Sequence, residues 1–230
     1  MISKTDMGNN SRTVLNVADG WEFIPRRAGR SWLSGSASEA SEQVDLPHSW
    51  NRLDTYEEGV VYRQGWGTYR KTFPAFQARE VLETCLLSFG GFYGTGDIWV
   101  NGRRRARVDG QYLGARVAIE DPQKPFTVGV RLTNRYASHV LPGIRFPDFL
   151  LYGGLAGEAQ LIFRSPLHFD ADRCFVDYGA LGRGELALHW RVRNDGPLSR
   201  HVTAFCRVET LQGEIVIPEE AMTSSACEPG

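Results

Sequence analysis

Alternation of apolar and polar residues is the feature that most constrains how this chain can fold. In the segment Phe126–Thr133 (FTVGVRLT) every second residue is a large apolar one, and the residues between are threonine, glycine or arginine. The same pattern runs through Ala115–Glu120, Ala159–Arg164 and Thr68–Phe73. Because successive side chains of a strand point to opposite faces, the pattern predicts strands with one face in a core and one in solvent. Helical periodicity is hard to find, so the predicted fold class is all-β.

Turn-forming pairs separate these runs at the short intervals that an antiparallel sandwich requires. They are Gly90-Gly91, Asn101-Gly102, Asp109-Gly110 and Asp121-Pro122. A domain boundary is predicted near Pro166, because a strand ends there at a residue that cannot donate to a ladder, and a new alternating series begins. We expect a flexible N-terminus over residues 1–13, a first sandwich over 14–165 and an incomplete second sandwich over 166–230.

The second alternating series is predicted to begin an immunoglobulin-like sandwich. Two strands are expected to point one face inward, the first with Leu186, Leu188, Trp190 and Val192, the second with Val202, Ala204, Cys206 and Val208. A complete sandwich of this type takes about 100 residues, more than the series contains before Gly230. Two alternatives stay open: the tail is disordered, or the natural protein continues.

The composition argues against nucleic acid as the main partner and against a membrane span. The net charge is -1, whereas domains that bind duplexes carry a strong basic excess. No apolar run approaches the roughly 18 residues of a membrane helix, and Met1–Val17 lacks the apolar core of a secretory signal. We therefore expect a cytoplasmic protein, and a homo-oligomer is left open.

A run of arginines after Asn101-Gly102 is the one strongly basic stretch of the chain. Strand alternation predicts Arg103, Arg105 and Arg107 on one face, and Arg104, Ala106 and Val108 on the other. This arrangement favours a solvated strand edge after a hairpin turn over a phosphate-binding patch, since edge arginines also discourage unwanted strand pairing.

Few residues point to catalysis within the chain. The motifs of a nucleophile elbow, a dinucleotide fingerprint and a P-loop are absent. Asp54, Glu57 and Glu58 are predicted to lie in a solvated loop rather than in the wall of a pocket. His48 is predicted to have a packing or hydrogen-bonding role rather than a catalytic one. The cysteines Cys85, Cys174, Cys206 and Cys227 are widely spaced and are predicted to be free thiols, and no metal site is predicted.

Aromatic residues crowd the segment before the strand at Thr68–Phe73. They are Trp50, Tyr56, Tyr62 and Trp66. Sugar-binding sites commonly set an aromatic face against the C–H surface of the sugar and add carboxylate or amide groups for its hydroxyls. Some of these rings belong to the core, and we select Tyr56 and Trp66 as candidate substrate-binding residues.

Several segments, taken in order, resemble the N-terminal sugar-binding domain of glycoside hydrolase family 2, which includes β-galactosidases, β-glucuronidases and β-mannosidases. They are VLNVADGWEFIP, VDLPHSWN, TYRKTF, LSFGGFYGTGDIWVNGRR, FTVGVRLTN and PDFLLYGGLAGEAQLIF. The resemblance covers roughly Val14 to Phe163, and the series from about His168 resembles the start of the family's immunoglobulin-like domain. It rests on the order and spacing of the segments.

The resemblance implies a jelly-roll-like sandwich, similar to galactose-binding domains, followed by an immunoglobulin-like sandwich and a downstream (β/α)₈ barrel that carries both catalytic glutamates. The chain has no room for the barrel and contains no Asn-Glu dipeptide, so no catalytic residue is expected within it. The implied partner is a carbohydrate substrate shared with that barrel.

The resemblance also assigns a role to Asp148. In the family's galactosidases an aspartate in the matching stretch reaches the active site, where it bonds sugar hydroxyls, and Asp148 of DFLLYGGL occupies that position. A carboxylate is suited to accept from two hydroxyls or to help hold a monovalent or divalent cation, while capping of the turn after Pro147 is the structural alternative. No other cofactor is implied. The sequence departs from the family at Gly157, where an arginine is expected.

Three functions compete on these grounds. The first is the non-catalytic N-terminal part of a retaining exo-glycosidase, the second is a free-standing carbohydrate-binding module, and the third is a structural sandwich for protein association.

Overall fold

The computed structural model of the chain describes residues 12–54, 56, 59, 62–77, 84–109, 112–135, 137–140, 143, 149–170, 173–177 and 187–229. The predicted all-β class is confirmed, since the described elements are antiparallel strands and one short helix. Contacts divide the chain into two compact units, unit 1 with residues 1–81 and 85–163, and unit 2 with residues 82–84 and 164–230.

Thirteen strands and the helix are described up to Arg164. The strands are β1 (Thr13–Asn16), β2 (Trp21–Ile24), β3 (Glu42–Val44), β4 (His48–Ser49), β5 (Trp66–Phe73), β6 (Thr84–Phe89), β7 (Phe92–Tyr93), β8 (Thr95–Val100), β9 (Arg103–Asp109), β10 (Ala115–Ile119), β11 (Phe126–Thr133), β12 (Gly154–Leu155) and β13 (Ala159–Arg164), and the helix is α1 (Arg30–Leu33). They form a four-stranded sheet in the order β1-β13-β6-β10, a six-stranded sheet in the order β3-β2-β5-β11-β8-β9, and a small sheet β4-β12-β7.

The core of unit 1 lies between the four-stranded and the six-stranded sheets. One apolar cluster takes Leu87, Val117 and Leu161 from the first sheet and Tyr69 and Val130 from the second, all of them buried. Burial of this apolar area is the main driving force for the sandwich. The predicted inward faces of β10, β11 and β13 are confirmed by these positions.

The prediction that β5 and β11 expose their second face to solvent is wrong. A clasp, defined as residues 25–37 and containing α1, covers that face of the six-stranded sheet. Leu33 lies so close to Gly129 that a Cβ there would come within 2.5 Å of its Cδ2 atom. Thr68 Oγ1 accepts a hydrogen bond from Ala28 N at 3.1 Å and donates to Arg26 O at 2.7 Å. The polar residues on this face therefore hold the clasp.

The arginine run lies on β9, at the edge of the six-stranded sheet, as predicted. Asn101 and Gly102 have φ values of 48° and 73°, which is the geometry of a two-residue type I′ hairpin turn. The predicted distribution over the faces is wrong, because a bulge pairs Ile98 with Ala106 but Trp99 with Arg104. The extra residue, Arg105, moves Arg104 off the face that Ala106 occupies.

The described strands of unit 2 form three antiparallel pairs. They are β14 (Leu167–Phe169) with β17 (Val192–Asn194), β15 (Phe175–Asp177) with β16 (Ala187–His189), and β18 (Arg200–Glu209) with β19 (Ile215–Cys227). The alternation predicted for β18 is confirmed, since Ala204 is buried between the exposed Thr203 and Phe205.

The single strand predicted from Leu186 to Val192 is broken in the structure. Its two halves pair with different strands, and between them Arg191 O accepts a hydrogen bond from Asp170 N at 2.7 Å. A change of partner requires a corner in the backbone, which the alternation of Leu188, Trp190 and Val192 does not signal. Leu188 is 37% exposed as a result.

The four cysteines are free thiols, as predicted; Cys85 is buried and the other three are half-buried. No helix within the described ranges is long and apolar enough to cross a membrane.

Candidate functional site

Two buried asparagines join three loops at one corner of unit 1. Asn51 follows β4, Asn134 follows β11, and each is 1% exposed. Both side-chain amides donate to the same two carbonyl oxygens: Arg63 O receives bonds of 3.3 and 3.0 Å, and Leu151 O receives bonds of 3.0 and 2.9 Å. We call this arrangement the asparagine corner.

The carbonyl oxygens of the two amides are satisfied as well. Asn51 Oδ1 accepts from Gly153 N at 2.9 Å and from Ser49 Oγ at 3.1 Å, while Asn134 Oδ1 accepts from Gly65 N at 2.9 Å. A buried network whose members all have partners rigidifies the segments it joins. The corner therefore holds the backbone from Leu151 to Gly153 against the start of β5.

Trp50 fills the space between two glycines at this corner. A Cβ on Gly67 would come within 2.4 Å of the indole ring, and one on Gly153 within 2.0 Å. The ring also stacks on Phe23, with the centroids 6.0 Å apart and the planes at 12°. Both positions require glycine, because a side chain at either would occupy the volume of the indole.

The structure describes two of the three predicted substrate-binding residues. Asp148 is outside the described residues; the segment that the corner anchors begins three residues after it in the sequence. Tyr56 is 83% exposed at the surface. Trp66 opens β5 as a half-buried ring, with the guanidinium groups of Arg27 and Arg131 at 5.2 and 5.9 Å from its centroid.

A cleft of about 540 Å³ opens beside the asparagine corner. It is lined by Phe23, Pro25, Glu42, Val44, Asp45, Pro47, His48, Ser49, Trp50, Arg52, Leu53, Asp54 and Arg63. Its volume falls in the range of small-molecule sites, roughly 300–1,000 Å³. Asp54, which the sequence favoured as a solvated loop residue, lines this cleft, whereas Glu57 and Glu58 lie outside the described residues.

His48 forms part of the cleft wall and is bonded to the core behind it. Its Nδ1 lies 2.8 Å from Tyr69 Oη, and its ring packs edge-on against Phe23. Burial raises the pKa of Tyr69 well above its ordinary value, so the phenol stays protonated and shares a hydrogen bond with Nδ1 of His48, whose tautomer sets which group donates. Burial also lowers the pKa of His48, with Glu42 acting to raise it and Arg52 to lower it. The hydrogen-bonding role predicted for His48 agrees with this geometry.

We expect the stability of unit 1 to fall below neutral pH through His48. Since the folded-state pKa lies below the unfolded value of 6.5, the unfolded chain binds the proton more readily. Neutral His48 makes its full contribution to the free energy of unfolding above pH 6.5. That contribution is lost as the pH falls through 6.5 and then through the lower folded-state pKa. Denaturant midpoints at pH 7.5 and 5.5 measure it. His48→Gln, which keeps an acceptor for Tyr69, should show a smaller difference between the two pH values; equal differences in both proteins would contradict the assignment.

Asn51 and Asn134, which organise the corner, were not predicted from the sequence. Both end segments that stand out for other reasons, VDLPHSWN and FTVGVRLTN. The available signal is an asparagine within two residues of the end of a strand, where an amide can satisfy the backbone groups that the strand leaves unpaired. Among the residues that the structure describes, no three or more histidine, cysteine or acidic side chains gather as metal ligands.

Two named relatives match between one half and two thirds of the chain. A protein of Bacteroides fragilis named beta-glucuronidase is 27% identical over 128 residues, which covers 53% of this chain and 18% of the relative. A protein of Formosa agariphila with a provisional beta-glucuronidase name is 27% identical over 155 residues, or 66% of this chain and 18% of the relative. No family model matches the chain.

Solved structures match nearly the whole chain. The crystal structure of a Bacteroides uniformis beta-glucuronidase superposes with a TM-score of 0.84 over 95% of this chain and 26% of that chain, at 19% identity. A glycosyl hydrolase family 2 member from Bacteroides cellulosilyticus gives a TM-score of 0.73 over 94% of this chain and 29% of that chain, at 20% identity. The fold is therefore shared, and the chain spans less than a third of the length of each of these four proteins.

Proposed function

We propose that this chain, whose resemblance to the N-terminal region of glycoside hydrolase family 2 is borne out by its named relatives and its fold, forms the non-catalytic N-terminal part of an exo-acting β-glycosidase. The observation that carries the proposal is the extent of the match: 95% of this chain corresponds to 26% of the length of a β-glucuronidase. In such a protein the catalytic groups belong to the remaining part.

The role of unit 1 in this proposal is to shape one wall of the substrate pocket. Support comes from the asparagine corner, which holds the backbone of Leu151 and Gly153 by hydrogen bonds. Backbone that is already anchored needs less ordering when a substrate binds beside it. Tyr56 and Trp66 remain candidate contacts to the sugar, and a cation near Asp148 remains a further proposal.

The coding sequence after Gly230 and the activity of two proteins test the proposal. We expect an in-frame barrel region with a pair of glutamates. We also expect that the extended protein hydrolyses one of the 4-nitrophenyl β-glucuronide, β-galactoside or β-mannoside substrates, while the chain of 230 residues hydrolyses none. Turnover by the chain alone, or a downstream region without a barrel, would overturn it.

Asp148→Ala in the extended enzyme should lower kcat/KM by about 10- to 100-fold, the loss expected when a charged hydrogen-bond acceptor is removed from a substrate. Denaturant midpoints should change little. Asp121→Ala is the matched control, because Asp121 is an exposed acid that pairs with Lys124 at the surface. Unchanged kinetics in the Asp148 variant would remove this residue from the site.

A free-standing carbohydrate-binding module is the second candidate, and the cleft of about 540 Å³ with its aromatic and charged lining favours it. Titration of the chain alone distinguishes the two. Submillimolar binding of a galactoside, glucuronide or mannoside would support the module, whereas the first proposal expects weak or undetectable binding.

A further inference from the structure

The cleft beside Trp50 contains polar groups of two kinds, and the first kind serves the fold. Asp45 Oδ1 accepts from Gly20 N at 2.7 Å, and Asp54 Oδ2 accepts from Arg63 N at 2.6 Å. The Arg63 guanidinium donates to Pro25 O at 2.6 Å. These bonds hold together the loops that frame the cleft, so the three side chains are already engaged.

Polar groups of the second kind have donors or acceptors that form no hydrogen bond within the described structure. Within the described part of the chain, the Arg52 guanidinium and the Glu42 carboxylate have no hydrogen-bonded or ion-paired partner, and both side chains are exposed. His48 uses Nδ1 for Tyr69, which leaves Nε2. All three groups line the same cleft.

The half-buried Trp50 ring adds aromatic carbon to the lining. It stacks nearly parallel on Phe23, a core residue that is 2% exposed, and the asparagine corner and the two flanking glycines hold it in place. A fixed aromatic ring beside a few polar groups is a common element of a small-molecule site. Apolar and hydrogen-bonding surface side by side matches the two surfaces of a sugar ring.

We propose that this cleft binds a saccharide that carries a carboxylate, a uronate residue, as a site separate from any catalytic centre. Arg52 pairs with the ligand carboxylate, because a guanidinium presents its donors in the fork that a carboxylate fits. Glu42 and His48 bond ring hydroxyls, since a carboxylate accepts from two hydroxyls and a neutral imidazole nitrogen donates or accepts.

The charge of the cleft selects the ligand carboxylate over a phosphate. Glu42, Asp45 and Asp54 line the same cleft as Arg52, and their negative charges would repel a phosphate dianion more strongly than a carboxylate with a single charge. A neutral sugar would keep the hydroxyl contacts but lose the pair with Arg52.

The affinity is expected to be in the millimolar range, because an ion pair at an open cleft is screened by water. This inference makes no assumption about a downstream barrel. Its failure would leave the proposed N-terminal role intact, and the absence of a barrel would leave the cleft intact.

Nuclear magnetic resonance of the 230-residue chain tests the proposal with two probes that differ only in the carboxylate, methyl β-D-glucuronide and methyl β-D-glucoside. The indole N–H signal of Trp50, assigned with Trp50→Phe, reports on the cleft. We expect a saturable shift with glucuronide and an affinity about fivefold lower for the glucoside, the factor that corresponds to one exposed ion pair.

Arg52→Gln should lower the affinity for the glucuronide to that for the glucoside. Arg103→Gln, which removes an exposed arginine of β9 outside the cleft, should leave both affinities unchanged. Three results would overturn the proposal: no saturable shift up to about 50 mM glucuronide, equal affinities for the two probes, or an Arg52→Gln protein that binds glucuronide as the parent does. Since Arg52 is exposed, its replacement tests binding without a risk to folding.

Discussion

Arg70→Met is expected to lower the free energy of unfolding of unit 1 by about 3 kcal/mol, because it removes the centre of a buried polar network. The guanidinium bonds both oxygens of Glu22, at 3.1 and 2.5 Å, and donates to Trp32 O and Ala37 O, each at 2.9 Å. It also stacks on the Trp32 ring at 4.4 Å. Methionine fills the volume but donates nothing, so Ala37 O loses its side-chain donor. Glu22 keeps only the bond from Ser41 Oγ at 3.3 Å, and Trp32 O keeps only the bond from Gly35 N at 3.0 Å.

Denaturant unfolding followed by tryptophan fluorescence measures the change. A Trp190→Phe background restricts the signal to unit 1, because Trp190 is the one tryptophan of unit 2 in the sequence. Arg104→Met is the control, since the exposed pair of Arg104 with Asp97 at 3.4 Å should contribute no more than about 1 kcal/mol. Adding Glu22→Gln to Arg70→Met should recover part of the lost free energy of unfolding. If the double variant is no more stable than Arg70→Met, the unpaired Glu22 carboxylate is not the cause of the loss.

Gly153→Ala should destabilise unit 1 by about 2–3 kcal/mol, the size of a strong overpacking defect. Its new methyl group would lie 2.0 Å from the Trp50 ring, which also packs closely against Gly67. Either the indole moves or the backbone does, and a backbone shift would strain the bond from Gly153 N to Asn51 Oδ1. We expect the fluorescence of Trp50 to change together with the unfolding midpoint.

Gly65→Ala is the matched control, because a Cβ at Gly65 meets nothing within 4 Å although the residue lies at the same corner. Its effect should stay within about 0.5 kcal/mol. If both alanine variants unfold at the same denaturant concentration as the parent, the close packing around Trp50 does not contribute to the stability of unit 1.

The alternation of apolar and polar residues made the fold class and the inward faces of the strands predictable. The reason is that the alternation depends only on the geometry of a single strand. Phe126, Val128, Val130 and Leu132 face the core as their spacing predicts, and Asn101-Gly102 forms the expected hairpin turn. Order and spacing of short segments were also enough to predict the resemblance that the named relatives bear out.

The candidate site depended on contacts that no local pattern encodes. Asn51 and Leu151 lie a hundred residues apart in the chain and share one hydrogen bond in the corner. The bulge at Arg105 leaves no mark in the arginine run, yet it moves Arg104 to the other face of the sheet. Such positions are set by the partner across the sheet rather than by the neighbours in sequence.

The sequence by itself determined that this chain forms β-sandwich structure with an apolar core, since period-two alternation admits few other ways to bury its large side chains. Only the tertiary structure decided that the second face of β5 and β11 is covered. Gly129, Thr68 and Arg70 look like solvent-facing residues in the alternating pattern, but each contacts the clasp. The reason is physical: alternation records the two faces of a strand, whereas burial depends on which distant segment packs against each face.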